Sequence, residues 1–223
     1  ALWDYTQKYS QDEFKDIRPL AFHVHGDGVF HMTNKPIKTL ADLKGLKLRA
    51  PTRMTNKYLA MLGATPVGMP VPQVGDALSK GVIDGAVVPY EVVPSVKIQE
   101  LVKYHIETDP AEPAFYTSTF VFAMNKARYE SLPADLKKVI DANSGQALSG
   151  QIGRAFLQAD AEGRKLTAKN TTQVIPAAEL AAWKAVGAKL ADSWVSDMNG
   201  KGRPGARMLE DARALIAQHA AKR

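Results

Sequence analysis

Between residues 46 and 104, short apolar runs alternate with stretches patterned as helices, and this constrains the fold more than any other feature of the chain. Leu46 to Arg49 reads as a strand that stops at Ala50, because Pro51 pushes the residue before it away from helical angles. A helix follows from Met54 to Leu62, with Met54, Tyr58, Leu59 and Leu62 on one face and Gly63 after its end. Thr65 to Met69 is a strand, and Pro72 to Lys80 a helix with proline in its first turn and Gly81 behind it. Ile83 to Val88 is a further strand and Val92 to Tyr104 a further helix. Such alternation predicts a parallel sheet flanked by helices, an α/β fold.

The flanks read differently. Ala1 to Tyr9 has the pattern of a helix tail, Leu20 to Val24 that of a buried strand, and Gly26-Asp-Gly28 marks a turn before extended chain from Val29 to Thr33. Thr39 to Asp42 resembles a capping box, with Gly45 closing a one-turn helix. Phe115 to Met124 is a long strand. Beyond Pro133 the pattern is mainly helical: one long helix from Asp135 to Lys169, bent near Gly145, Gly150 and Gly153, a brief strand at Gln173 to Ile175, then helices over 177–197 and 206–220.

Composition narrows the function classes. Of 223 residues, 45% are hydrophobic and 23% charged, the balance of a soluble globular protein. No apolar run approaches the roughly 20 residues that cross a bilayer. Cysteine is absent, which excludes disulfides, thiolate metal sites and a cysteine nucleophile. Trp3, Asp4 and Lys8 break any signal-peptide core at Ala1, so either the mature chain is expected to start here or something has been removed. The net charge of +6 is scattered among acids and forms no arginine stripe, which points to a solvated basic surface and not to nucleic acid.

Motifs for chemistry are few. His23-Val-His25 sets two imidazoles on one face of a strand with Asp27 close by, yet no third ligand is evident, so no metal and no cofactor are expected. There is no nucleophile elbow and no phosphate-binding glycine loop.

The segment Asp42-Leu-Lys-Gly-Leu-Lys-Leu-Arg49-Ala-Pro51 resembles a signature of the solute-binding proteins of TRAP (tripartite ATP-independent periplasmic) transporters, the DctP-like family. The resemblance continues, in order, through Leu62-Gly-Ala-Thr-Pro66, Ala77-Leu-Ser-Lys-Gly-Val-Ile-Asp84-Gly85, and Phe122-Ala-Met-Asn125 followed by Leu132-Pro133. It covers nearly the whole chain. It implies a two-lobe periplasmic-binding-protein architecture with a long lobe-spanning helix. Residues 1–26 and 114–152 would fall in lobe I, and 27–113 and 153–223 in lobe II. Because family members are longer, the resemblance also implies that lobe I is incomplete in this chain.

The resemblance gives Arg49 the role of the arginine that grips the ligand's carboxylate. This chain departs from the sialic-acid binders at Val29, beside Phe30, and at Val88, where those members carry polar groups. Met69, Val71 and Tyr116 align with pocket positions, and Thr119 is a candidate polar group. The implied ligand is a monocarboxylate with an apolar or aromatic body. A periplasmic, non-enzymatic monomer is implied, delivering that ligand to the small and large TRAP membrane subunits. Two alternatives stay open: a binding protein serving a sensor kinase or an ABC transporter, and an α/β enzyme acting on an organic acid.

Overall fold

The computed structural model describes residues 1–221. In chain order its elements are α1 (Leu2–Tyr9), β1 (Ile17–Val24), β2 (Val29–Met32), β3 (Lys47–Ala50), α2 (Arg53–Met61), β4 (Thr65–Gly68) and α3 (Val74–Ser79). There follow β5 (Gly85–Val88), α4 (Ile98–Leu101), β6 (Tyr104–Glu107), β7 (Thr119–Asn125), α5 (Lys126–Glu130) and α6 (Ala134–Ala142). The chain continues with α7 (Gln146–Leu166), β8 (Thr171–Val174), α8 (Ala177–Gly200) and α9 (Gly205–Ala220). It divides into two compact units. The first comprises Ala1–Val24, Thr119–Ala155 and the segment from Asp192 onward, the second His25–Ser118 and Phe156–Ala191.

The second unit is built on a six-stranded sheet in the order β4-β3-β5-β2-β6-β8. β3 runs parallel to β4 and β5, as the strand–helix alternation requires, but β2 lies antiparallel to both β5 and β6. The alternation starts only at β3, so it carries no information about the direction of β2. Both faces of the sheet are covered, and alternate residues go to opposite faces. Phe30, Leu48, Val87 and Ile106 join Leu59 of α2 and Trp183 of α8 in one core. Val29, Ala86 and Val88 join Val74 and Leu78 of α3 and Ile98 of α4 in the other. The helix expected over 92–104 is instead a 3-10 stretch at Tyr90–Val96 and the short α4, followed by β6. Pro94 lies inside the 3-10 stretch, and Lys97, left-handed at φ 54°, separates the two helical pieces.

The first unit holds a two-stranded antiparallel ribbon of β1 and β7, with Ile17 opposite Asn125 and Val24 opposite Thr119. The expected single helix over 135–169 is broken into α6 and α7. The break falls at Gly145, whose φ of +83° suits glycine, and its N–H is bonded to the Leu20 carbonyl of β1. α9 is tied to α1 by Lys8–Asp211 and by His219–Asp4. These ties put the segment from Asp192 onward with the first unit, whereas the sequence reading assigned all of 153–223 to the second lobe. α8 is one continuous helix, so the sequence offers no break at 192.

Candidate ligand-binding site

Arg49 is the penultimate residue of β3. Pro51 ends the strand, and Thr52 caps α2 by accepting a hydrogen bond from the Thr55 N–H at 3.1 Å. Leu48 and Ala50 turn into the core, so Arg49 turns the other way, along the end of the neighbouring strands. It is only 3% exposed. Nε donates to the Met69 carbonyl at 3.1 Å and Nη1 to the Val87 carbonyl at 3.4 Å. A guanidinium carries five N–H donors; with two engaged, three remain on Nη1 and Nη2. Among the described residues no carboxylate pairs with Arg49. Burial lowers its pKa, with the nearby Tyr116 acting in the opposite sense. A buried cation held only by two neutral carbonyls is costly unless an anion completes it. The donors left over on Nη1 and Nη2 are of the kind that pair with carboxylate oxygens.

Tyr116 borders the same feature. Its hydroxyl donates to Val87 O at 3.1 Å, the carbonyl that Arg49 also uses, and burial pushes the phenol pKa up. Met69 contributes its carbonyl, and its side chain packs against the second core; Val71 opens a 3-10 turn beside it and is half-buried. The structure thus brings Arg49, Met69 and Tyr116 together around the end of β3. Phe30 and Val88 lie within the cores: Phe30 packs edge-on to Phe115 and Trp183, and Val88 sits beside Val29 on the opposite face. Thr119 belongs to the first unit, at the start of β7. A cavity of about 400 Å³ in the second unit is lined by Thr52, Tyr58, Phe115, Tyr116 and Trp183, among others.

Several polar groups of the second unit were not legible in the sequence. Asp160 of α7 accepts a hydrogen bond from the Glu91 N–H at 2.8 Å, and both carboxyls have raised pKa values, chiefly from burial. His31 and His105 meet through their Nδ1 atoms at 2.7 Å, while His31 Nε2 lies 3.2 Å from Val88 O. A carbonyl can only accept, so His31 Nε2 carries its proton and His105 Nδ1–H donates to His31 Nδ1. Tyr90 donates to Glu107 at 2.5 Å, and Glu107 is paired with Arg164 at 2.8 Å. The partners in these contacts lie between 17 and 74 residues apart, beyond the reach of any local pattern.

Both ring nitrogens of His25 are engaged by main chain, Nδ1 with Gly26 O at 2.6 Å and Nε2 with the Ser118 N–H at 3.1 Å. Among the described residues no group of three or more histidine, aspartate or glutamate side chains is placed to hold a metal ion, and no helix is long and apolar enough to cross a membrane.

The second unit is thus an α/β unit with a buried guanidinium at the end of β3 that has no carboxylate partner among the described residues. Comparison with known proteins makes this specific. The chain belongs to the bacterial extracellular solute-binding protein family 7, DctP, whose pattern matches residues 4–197. A TRAP solute-binding protein from Rhodoferax ferrireducens, solved with copurified benzoate, is 55% identical with a TM-score of 0.95 over 98% of this chain and 69% of that one. A marine metagenome TRAP solute-binding protein specific for aromatic acid ligands, solved with metahydroxyphenylacetate, is 43% identical with a TM-score of 0.93 over 97% of this chain and 69% of that one. The 2,3-diketo-L-gulonate-binding periplasmic protein YiaO of Escherichia coli is 29% identical over 73% of this chain. The chain spans 45% of that relative's length.

Proposed function

We propose that this chain is the greater part of a periplasmic solute-binding protein that captures a monocarboxylate with an aromatic or apolar body and delivers it to the membrane subunits of a TRAP transporter. The observation that carries the reading is Arg49: a nearly buried guanidinium with three unengaged N–H donors and no carboxylate partner among the described residues. A carboxylate accepting two of those donors makes a charge-assisted pair that stays strong because it is shielded from water. Met69, Val71 and the ring of Tyr116 supply apolar contact for the ligand's body. Phe30, Val88 and Val29 act through the cores that hold β2 and β5 rigid behind the site. The ligands of the two solved relatives, benzoate and metahydroxyphenylacetate, are both aromatic monocarboxylates, which supports the same ligand class here.

The test is a thermal-shift and calorimetric screen of the intact protein. Benzoate, hydroxyphenylacetates and branched-chain acids are set against succinate, malate, sialic acid and uronates. Stabilisation follows RT ln(1 + [L]/Kd), so an aromatic acid at about 100 times its Kd adds about 2.7 kcal/mol. Binding restricted to dicarboxylates or sugar acids would refute the aromatic-acid reading and leave the family membership standing.

A further inference from the structure

We propose that Tyr116 is a positioning residue for Arg49, acting through the Val87 carbonyl that both side chains share, and that Gly28 makes room for it. This rests on the reading of Arg49 as the carboxylate-binding group. The Val87 oxygen accepts from Tyr116 Oη at 3.1 Å and from Arg49 Nη1 at 3.4 Å. The β3–β5 ladder ends one pair earlier, at Arg49 opposite Ala86, and Pro51 has no N–H with which to extend it. The carbonyl is therefore held from the side-chain direction, and the phenol supplies the shorter of the two bonds.

The ring that carries this hydroxyl fits only because residue 28 is glycine. A Cβ there would lie 2.0 Å from Tyr116 Cε1 and 2.2 Å from Cδ1. The Gly28 N–H also donates to the Tyr116 carbonyl at 3.0 Å, and the His25 imidazole meets the ring edge-on at 5.2 Å. The phenol is thus fixed by contacts along two sides and at its tip. Burial keeps it protonated, so it remains a donor. Its hydroxyl is spent on the main chain, and its effect on the ligand runs through the orientation of the guanidinium. Fixing that orientation in the empty site lowers the ordering cost when a carboxylate arrives.

A double-mutant cycle read by calorimetry with benzoate on the intact protein tests this. Tyr116→Phe keeps the ring and deletes the hydroxyl; it is expected to weaken binding by roughly three- to tenfold, with little change in the melting temperature of the unliganded protein. Arg49→Lys removes the fork to be oriented, so Tyr116→Phe in that background is expected to cause no further loss. Gly28→Ala, which drives the ring off its seat, is expected to reproduce Tyr116→Phe in direction; if that variant fails to fold, the cycle still decides. An equal loss from Tyr116→Phe in both backgrounds would show that the Tyr116 hydroxyl acts on the ligand or the fold directly and overturns the inference, as would unchanged affinity in Tyr116→Phe itself. Unchanged affinity in Arg49→Lys and Arg49→Ala would remove the reading of Arg49 on which the inference depends.

Discussion

The two units use the same ingredients in opposite ways. In the second unit every residue of β2 and β5 is buried, and aromatic and aliphatic side chains fill cores on both faces of a six-stranded sheet. In the first, β7 is longer and just as apolar, yet Phe120, Val121 and Phe122 are exposed, Phe122 by 53%. A two-stranded ribbon is marginal by itself. The long-range ties between α1 and α9 in that unit include ion pairs that are partly open to solvent, which contribute little each. Within this chain the difference lies in layering, since elements pack on both faces of the six-stranded sheet. It also places the buried charges where the packing can hold them rigid.

Truncating matched aromatics breaks or sharpens this comparison most strongly. Trp183→Ala, at a residue 1% exposed in the second unit, is expected to cost about 3–5 kcal/mol in denaturant unfolding. Phe122→Ala, at a residue 53% exposed in this chain, is expected to stay within about 0.5 kcal/mol when the same 223-residue chain is unfolded. Equal losses would mean that the ribbon is packed more tightly than its exposure indicates.

Two arginines make the next test. Arg49→Ala is expected to weaken carboxylate binding by on the order of 2–5 kcal/mol, because the partner charge loses a buried mate. Arg18 of the first unit is paired with Asp141 at 2.6 Å, but its side chain is 41% exposed. Arg18→Ala is expected to change stability by at most about 1 kcal/mol and to leave affinity unchanged. Calorimetry and unfolding curves on both variants decide the matter.

The smallest expected effect is graded with pH. Burial, and then the neighbouring His105, lower the pKa of His31 to about 3, and burial also lowers that of His105. Tyr90 meets both rings, and the Glu107–Arg164 pair acts on His105 alone. The unfolded chain takes up protons near the ordinary value of 6.5 while the folded chain does not. The neutral imidazoles therefore contribute stability that is complete above about 6.5 and is lost as pH falls toward 3. The slope is at most about 1.4 kcal/mol per pH unit for each proton. His31→Gln should flatten it in urea titrations between pH 4 and 7. An unchanged slope would mean that the pair is protonated in the folded state.

How much of this was legible in the chain follows from the range of each signal. Punctuation by proline and glycine, apolar spacing and the capping box at Thr39 act within a few residues. They located β3, α2, β4, the helical C-terminal region and the position of Arg49 at a strand end. The signature around Arg49 also carried the family, which the match over residues 4–197 shows. Packing decided the rest. The sequence pointed to a bend near Gly145, Gly150 and Gly153, but it has no way to express that only Gly145 divides the helix, that β2 runs antiparallel, or that α8 passes from one unit to the other at residue 192. Nor does it reveal that Val87 O is shared by Arg49 and Tyr116, 67 residues apart in number, or that Gly28 admits the tyrosine ring. Local propensity sets which segments are helices and strands. Which carbonyl meets which side chain is set only when distant segments come into contact, because hydrogen bonds and excluded volume act over a few ångströms of space whatever the separation along the chain.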